Sequence, residues 1–134
     1  MAGYSKRTLV EKLGIKPGMA VAIINAPAGY DKTLGTLPLN TKVESSAKKP
    51  KDFIHVFLTE KADMEKSIPL LRKSLRSNGM LWVSWPKGKQ KSPDALNENM
   101  IRSAALNNKL VDVKVCAVDD YWSGLKLVIP VSER

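Results

Sequence analysis

The side chains that could take part in chemistry are few, and they lie where apolar runs end. Ser84 and Trp85 follow the run Met80–Val83, and the basic stretch Lys87–Lys91 comes soon after them. Serine and lysine can contact an anion, and tryptophan can stack on a planar ligand. The stretch Met80–Lys91 therefore predicts the edge of a ligand-binding site, with the alternative that its basic part is a solvated loop.

Other polar and aromatic side chains also follow apolar runs of strand length. The carboxyl ends of parallel strands meet at one edge of a sheet, and the loops there build ligand sites. Aromatic rings, a lysine and a carboxylate at such an edge can wall a pocket for a planar or anionic ligand. The alternative is that Trp85 and Trp122 pack against each other and close the edge. The predicted ligand-binding residues are Asn25, Tyr30, Thr59, Ser84, Trp85, Lys87, Asp119, Trp122 and Ser123.

Several reactive side chains also have an ordinary structural explanation. His55, the only histidine, is a candidate general base, but no serine–acid partnership accompanies it, which favours a hydrogen-bonded histidine within a strand. Cys116 is a candidate nucleophile in an alternating segment that favours simple packing. Asp119 and Asp120 suit a turn and lack the clustered histidines or cysteines of a metal site. We therefore predict no catalytic residue and no metal site.

The elements that position these residues alternate between strands and helices. Continuous or alternating apolar runs predict strands over 19–25, 41–45, 53–59, 80–85, 110–118 and 125–130. Capping residues and apolar spacing at the helical period predict helices over 5–14, 59–77 and 92–107. Thr59 is the expected N-cap of the second helix, and Gly79 is the expected left-handed cap after its end. The alternation within 110–118 places the valines and Ala117 on one side of that strand and Asp112, Lys114 and Cys116 on the other. The short link between the last two strands indicates an antiparallel hairpin. The pattern predicts one three-layer α/β domain over residues 1–134, with a mostly parallel sheet.

The segment after the first predicted strand departs from a nucleotide-binding unit. Such a unit has a glycine-rich turn whose backbone N–H groups approach a phosphate at the start of a long helix. Here only Gly29 and Gly35 are present, Pro27 removes one donor, and the stretch up to Leu39 is too short for a full helix. We therefore predict no cofactor.

Composition and charge limit the class of partner. The 134 residues carry 22 Lys+Arg against 13 Asp+Glu, a net charge of +9, which suits an anionic ligand or a protein partner. Nucleic acid is a less favoured partner, with the loops Lys48–Lys51 and Lys87–Lys91 as its candidate contacts. The single cysteine, the lack of a signal-peptide pattern and the lack of an apolar run of ~20 residues predict a cytoplasmic protein without a membrane span. The exposed part of the closing hairpin is a candidate homodimer edge.

Two sets of segments resemble known families. SIPLLRKSLRSNGMLWVSWP and VDVKVCAVDDYWSGLKLVIP resemble the fifth-strand unit and the closing hairpin of S-adenosylmethionine (SAM)-dependent methyltransferases. That resemblance implies a Rossmann-like, methyltransferase-like sheet, truncated at the first crossover. The segments AGYS, NAPAGY, LWVSWPK and VDVKVCAVDDYWSGLKLV are similar to a bacterial family known as domain of unknown function 3052, over nearly the whole chain. The second resemblance implies a compact fold of this type and no particular activity.

These observations favour a small non-catalytic module that binds a ligand or another protein. The missing glycine cradle and the lack of a nucleophile–base pair are the reasons for this interpretation. One alternative is a divergent SAM-dependent methyltransferase with Asn25, Thr59, Ser84 and Trp85 at the cofactor edge. The other alternative is a basic nucleic-acid-binding protein.

Overall fold

The described strands form one mixed sheet with helices on both faces. The computed structural model describes residues 8–88 and 95–134, and its strand order is β2-β1-β3-β4-β6-β5. The strands are β1 Ala20–Ile24, β2 Lys42–Glu44, β3 Lys51–Phe57, β4 Leu75–Pro86, β5 Val111–Ala117 and β6 Trp122–Val128. The helices are α1 Leu9–Leu13, α2 Tyr30–Leu34, α3 Lys61–Ser74 and α4 Glu98–Asn107, followed by a 3-10 turn at Val131–Glu133. Strands β1 to β4 are parallel, and β6 is antiparallel to β4 and β5, which confirms the predicted fold class.

Two apolar clusters bury the two faces of this sheet. The α1–α2 face is covered by α1, α2 and the side chains around them, such as Leu13, Phe53 and Trp82. The α3–α4 face contains Ile68 and Ile101, both fully buried. Each such aliphatic side chain contributes about 2 kcal/mol through removal of apolar surface from water. No helix of the described residues is long and apolar enough to cross a membrane.

Helices α1 and α4 begin later than the sequence predicts. Thr8 caps α1 in a capping box with Glu11, and Gly14 ends the helix in the left-handed conformation at φ 93°. Asn97 caps α4 through a hydrogen bond from the Met100 amide. The predicted starting residues of both helices, at 5 and at 92–94, lie outside the described residues.

The predicted end of the third helix was wrong. We expected α3 to run to Ser77 and to end in a left-handed cap at Gly79, but the helix ends at Ser74 and the chain enters β4 directly. Gly79 has no positive φ and lies within the strand. A Cβ at this position would lie 2.9 Å from the backbone oxygen of Asp52, so the glycine permits a close approach of two backbones. The N-cap of α3 is Glu60, and Thr59 makes no capping bond.

We expect Gly79→Ala to destabilise the protein by about 1–3 kcal/mol, because the added methyl must displace backbone at Asp52. Ser77→Ala on the same strand is the matched control, since Ser77 is exposed, and it should change stability by less than about 0.5 kcal/mol. Urea unfolding of both variants measures the difference. Equal stabilities would show that the sheet accommodates the methyl without strain.

The closing hairpin contains a bulge that the alternating sequence did not reveal. Asp112 pairs with Leu127 and Lys114 pairs with Lys126, so Val113 is an extra residue in β5. Asp112 consequently lies on the α3–α4 face, where its Oδ2 accepts a hydrogen bond from Arg102 Nε at 2.9 Å. The predicted separation of valines on one side from Asp112 and Lys114 on the other was therefore wrong. Strand β6 also begins at Trp122, earlier than predicted.

Candidate functional site

The order of the strands reverses between β1 and β3. From β1 the chain proceeds to β2 on one side and then to β3 on the other. In open α/β sheets, ligands bind outside the carboxyl ends of the strands at such a reversal. Asn25 follows β1 with a left-handed φ of 59°, and Thr59 follows β3 after Leu58. Both side chains are exposed, so the fold leaves these two predicted residues accessible at this edge.

Two of the other predicted residues are buried and joined by the single histidine. Tyr30 Oη lies 2.6 Å from His55 Nδ1, and His55 Nε2 lies 2.7 Å from Ser84 Oγ. We call Tyr30, His55 and Ser84 the buried polar triad. One ring nitrogen of a neutral imidazole donates a hydrogen bond while the other accepts one. One of the two hydroxyl groups therefore donates to the ring and the other accepts from it. The triad links the first residue of α2 to β3 and β4.

Burial controls the protonation of the triad. His55 is fully buried and stacks on Phe57 with ring centroids 4.2 Å apart. Desolvation lowers the pKa of His55 to about 3 and raises the pKa of the Tyr30 phenol. Both groups are therefore neutral at physiological pH. The histidine is a hydrogen-bonded strand residue and is too buried to contact a substrate.

A cavity of about 360 Å³ lies beneath α2, next to the loop that follows β1. Its walls are mostly apolar, and Asp31 contributes a carboxylate. The lining residues are Ile23, Ala26, Pro27, Tyr30, Asp31, Leu34, Gly35, Leu37 and Val43. Of these, only Tyr30 belongs to the predicted set, because apolar residues near a loop give no chemical signal in the sequence. A second cavity of about 490 Å³ lies between α3 and α4 on the other face.

The structure separates the two tryptophans. Trp85 is buried on the α3–α4 face, whereas Trp122 packs on the α1–α2 face, where its ring meets Phe57 edge-on at 5.1 Å. The two residues belong to adjacent register pairs of β4 and β6, Trp85 with Ser123 and Pro86 with Trp122, and successive residues point to opposite faces. Neither a shared aromatic pocket nor a mutual plug forms between them.

The remaining predicted residues, Asp119, Lys87 and Ser123, lie in or next to the turn between β5 and β6. Asp119 Oδ1 accepts hydrogen bonds from the backbone amides of Tyr121 and Trp122 at 2.8 and 2.7 Å, which is the usual role of aspartate in a turn. Lys87 Nζ donates to the Asp119 carbonyl at 2.6 Å. Ser123 is half-buried opposite Trp85. Residues 89–91 of the predicted basic loop lie outside the described residues.

Comparisons with solved structures identify the fold. The chain is similar to a SAM-dependent methyltransferase from Aquifex aeolicus, with a TM-score of 0.61 and 16% identity over 91% of this chain and 88% of that one. It is similar to magnesium protoporphyrin IX methyltransferase from Synechocystis PCC 6803 with bound SAH, with a TM-score of 0.60 and 13% identity over 91% and 78%. A possible exported protein from Bordetella parapertussis has a TM-score of 0.63 and 11% identity over 91% and 65%.

Comparisons of the sequence with protein families and with curated proteins do not assign the chain to a family. No protein-family model matches the chain, so membership of the family of unknown function 3052 is not confirmed, and no curated protein matches it either. The structural neighbours establish a Rossmann-like, methyltransferase-like fold.

The structural neighbours also overturn two expectations from the sequence. We expected a non-catalytic module without a cofactor, whereas the neighbours that share this fold are described as methyltransferases, one of them with bound SAM and with bound SAH. The missing glycine cradle does not exclude a ligand at this edge, because a mostly apolar cavity lies beneath α2.

Proposed function

We propose that this chain is a divergent SAM-dependent methyltransferase that binds the cofactor in the cavity beneath α2. The observation that carries this proposal is the position of the cavity, at the carboxyl end of β1 beside the reversal in strand order. The solved neighbours support the choice of ligand, since the methyltransferase from Synechocystis PCC 6803 is described both with bound SAH and with bound SAM.

The residues around the cavity fit a ligand of this kind. The volume of about 360 Å³ lies within the range of small-molecule sites, and the apolar walls suit a planar base or an alkyl chain. Asp31 can accept hydrogen bonds from hydroxyl groups, as those of a ribose. Gly29 precedes α2 at φ 84°, and its α-carbon faces open space, so a ligand can approach the backbone there.

The buried polar triad positions this site without contacting the ligand. It fixes Tyr30, whose ring forms part of the cavity wall, and so holds the start of α2 over β1. Asn25 and Thr59 are exposed at the same edge and can bind the polar end of a ligand. Ser84 and Trp85, which we had placed at the cofactor edge, are buried and engaged elsewhere.

Bound SAM would supply a methyl group on a sulfonium centre for transfer to a nucleophilic atom. The chain's own contribution to such a transfer is to orient and to desolvate the reacting groups. His55 cannot act as general base, because it is buried and both of its ring nitrogens are hydrogen-bonded. We therefore assign no catalytic role to His55.

We expect Val43→Trp to weaken the binding of SAH at least about tenfold, because the indole fills space in the cavity. Val43 lies on the edge strand β2 and is 45% exposed, so the substitution should leave the core intact. Calorimetric titration of the variant and the unaltered protein measures the difference.

The matched control is Val113→Trp, on the opposite edge strand β5, where the side chain is 54% exposed. This variant should bind SAH within about twofold of the unaltered protein. Equal affinities of the two variants would contradict the assignment of the cavity.

A further inference from the structure

Three lysines converge on the α1–α2 face of the closing hairpin. Lys114 and Lys126 form a register pair on β5 and β6, and Trp82 of that face is the partner of Lys126 on β4. Lys16 follows α1, and its charge acts on Lys126. We call Lys16, Lys114 and Lys126 the hairpin lysine cluster. Side chains directly opposite on neighbouring antiparallel strands have Cβ atoms about 5 Å apart, and like charges there are destabilising.

The described residues do not neutralise this cluster. Within residues 8–88 and 95–134, none of its three ammonium groups forms an ion pair with a carboxylate. The polar contact of Lys114 Nζ is the carbonyl of Lys12 at 3.2 Å. Partial burial, followed by the charges of Lys114 and Lys16, lowers the pKa of Lys126. An anion bound there would relieve the repulsion that folding creates.

A row of aromatic rings leads from the cavity beneath α2 to the same hairpin. The ring centroids are 4.9 Å apart for Tyr30 and Phe57, 5.1 Å for Phe57 and Trp122, and 5.4 Å for Trp122 and Tyr121. Tyr121 ends the row and is 58% exposed. Trp122 and Lys126 share a face of β6 and stand about 13 Å apart along the strand.

We propose that the hairpin lysine cluster and Tyr121 form a binding surface for a single-stranded nucleic acid. The lysines contact neighbouring phosphates, and Tyr121 stacks on an unpaired base. Asp120 is exposed beside Tyr121 and would repel a phosphate, so the phosphate contacts belong to the lysines. The binding needs no cofactor, so this inference goes beyond the proposed function and does not rest on it.

Nucleic acid fits this surface better than an acidic membrane or an acidic protein. A membrane-binding surface combines basic groups with exposed aliphatic side chains that insert among lipids. The exposed Leu70 and Leu106 lie on α3 and α4, which cover the other face, and the exposed Val115 of β5 pairs with Leu125 of that other face. Val113 is the bulge residue on the edge strand, and Leu39 lies between α2 and β2, outside the hairpin. An acidic protein would account for the lysines but would leave the exposed ring of Tyr121 unused. Phosphates joined to flat bases account for both features.

The test compares two double variants that remove the same number of charges. Lys114→Gln with Lys126→Gln removes two members of the cluster. Lys42→Gln with Lys49→Gln is the matched control, since both lysines are exposed and lie outside the hairpin. Fluorescence anisotropy with a labelled single-stranded RNA or DNA of about 20 nucleotides measures the dissociation constants over a range of salt concentrations.

We expect the cluster variant to bind the oligonucleotide about tenfold more weakly at low salt. The slope of the logarithm of the binding constant against the logarithm of the salt concentration should decrease in magnitude by about 1.4, because two phosphate contacts are lost. The control should bind within about twofold of the unaltered protein. Tyr121→Ala should weaken binding at least about fivefold through lost stacking. The melting temperature of the cluster variant should not fall, because the substitution removes a repulsion.

Several outcomes would overturn the inference: no binding by the unaltered protein, equal losses in the two double variants, or displacement of the oligonucleotide by polyglutamate at matched charge. Preferential binding to anionic phospholipid vesicles would overturn it as well. The Val43→Trp variant separates this surface from the proposed cofactor site, since it should retain full affinity for the oligonucleotide. Loss of SAH binding alone would therefore leave the present inference intact.

Discussion

Replacing His55 by leucine should lower the free energy of unfolding by about 4 kcal/mol. Leucine fills much of the space of the imidazole but can neither donate nor accept a hydrogen bond. Tyr30 Oη and Ser84 Oγ, each bonded to the ring, would remain buried without those partners. A buried polar group left unsatisfied costs about 1–3 kcal/mol, and two such groups are created. Urea unfolding at pH 7 measures the loss.

A triple variant separates the polar contribution from packing. In Tyr30→Phe, His55→Leu, Ser84→Ala, all three members of the buried polar triad become apolar. Replacing both partners of a hydrogen bond by apolar groups can be nearly neutral, so the triple variant should recover more than about half of the stability lost in His55→Leu. A triple variant no more stable than His55→Leu would show that the imidazole acts through its shape alone.

The second large effect is a loss of stability in mild acid. Burial lowers the pKa of His55 to about 3 in the folded protein, against about 6.5 in an unfolded chain. Below pH 6.5 the unfolded state therefore binds a proton that the folded state does not, and acid favours unfolding. Each pH unit below 6.5 removes about 1.4 kcal/mol, so stability should fall by about 2 kcal/mol between pH 7 and pH 5. The loss continues down to pH 3.

The His55→Leu variant is the control for this pH dependence. It contains no histidine, so its stability should be nearly flat between pH 7 and pH 5. Ion pairs lower the pKa values of Glu44 and Asp112, and protonation of these carboxylates adds a loss in both proteins only at lower pH. If the free energy of unfolding fell equally in the two proteins between pH 7 and pH 5, the proposed burial of a neutral histidine would be contradicted.

The sequence predicted the central strands well because burial on both faces leaves a continuous apolar run. Strands β1 and β3 lie close to their predicted positions, and the hairpin was expected from its short connection. The beginning of β4 was missed because Gly79 was interpreted as a helix-ending residue. Its actual role, a close approach to Asp52, depends on a neighbouring strand that the local sequence does not specify.

The candidate site was predicted only in part, because its contacts join segments that are distant in the sequence. Tyr30, His55 and Ser84 are 25 and 29 residues apart, and their contacts depend on the register of β3 against β4 and on the placement of α2. A lone histidine within an apolar strand did indicate that buried partners were needed. Trp85 and Trp122 were expected together because Trp85 ends a predicted strand and Trp122 lies in the connection after another, but the register places them on opposite faces.

The most direct test of the proposed function is to map the amide resonances that SAH perturbs in isotope-labelled protein. We predict that the shifts concentrate at the end of β1, the loop after it, α2 and β2, and that Val43→Trp reduces them at equal SAH concentration. No perturbation at about 1 mM SAH, a concentration that would reveal even weak affinity, would contradict the proposal. Shifts confined to the cavity between α3 and α4 would contradict it equally.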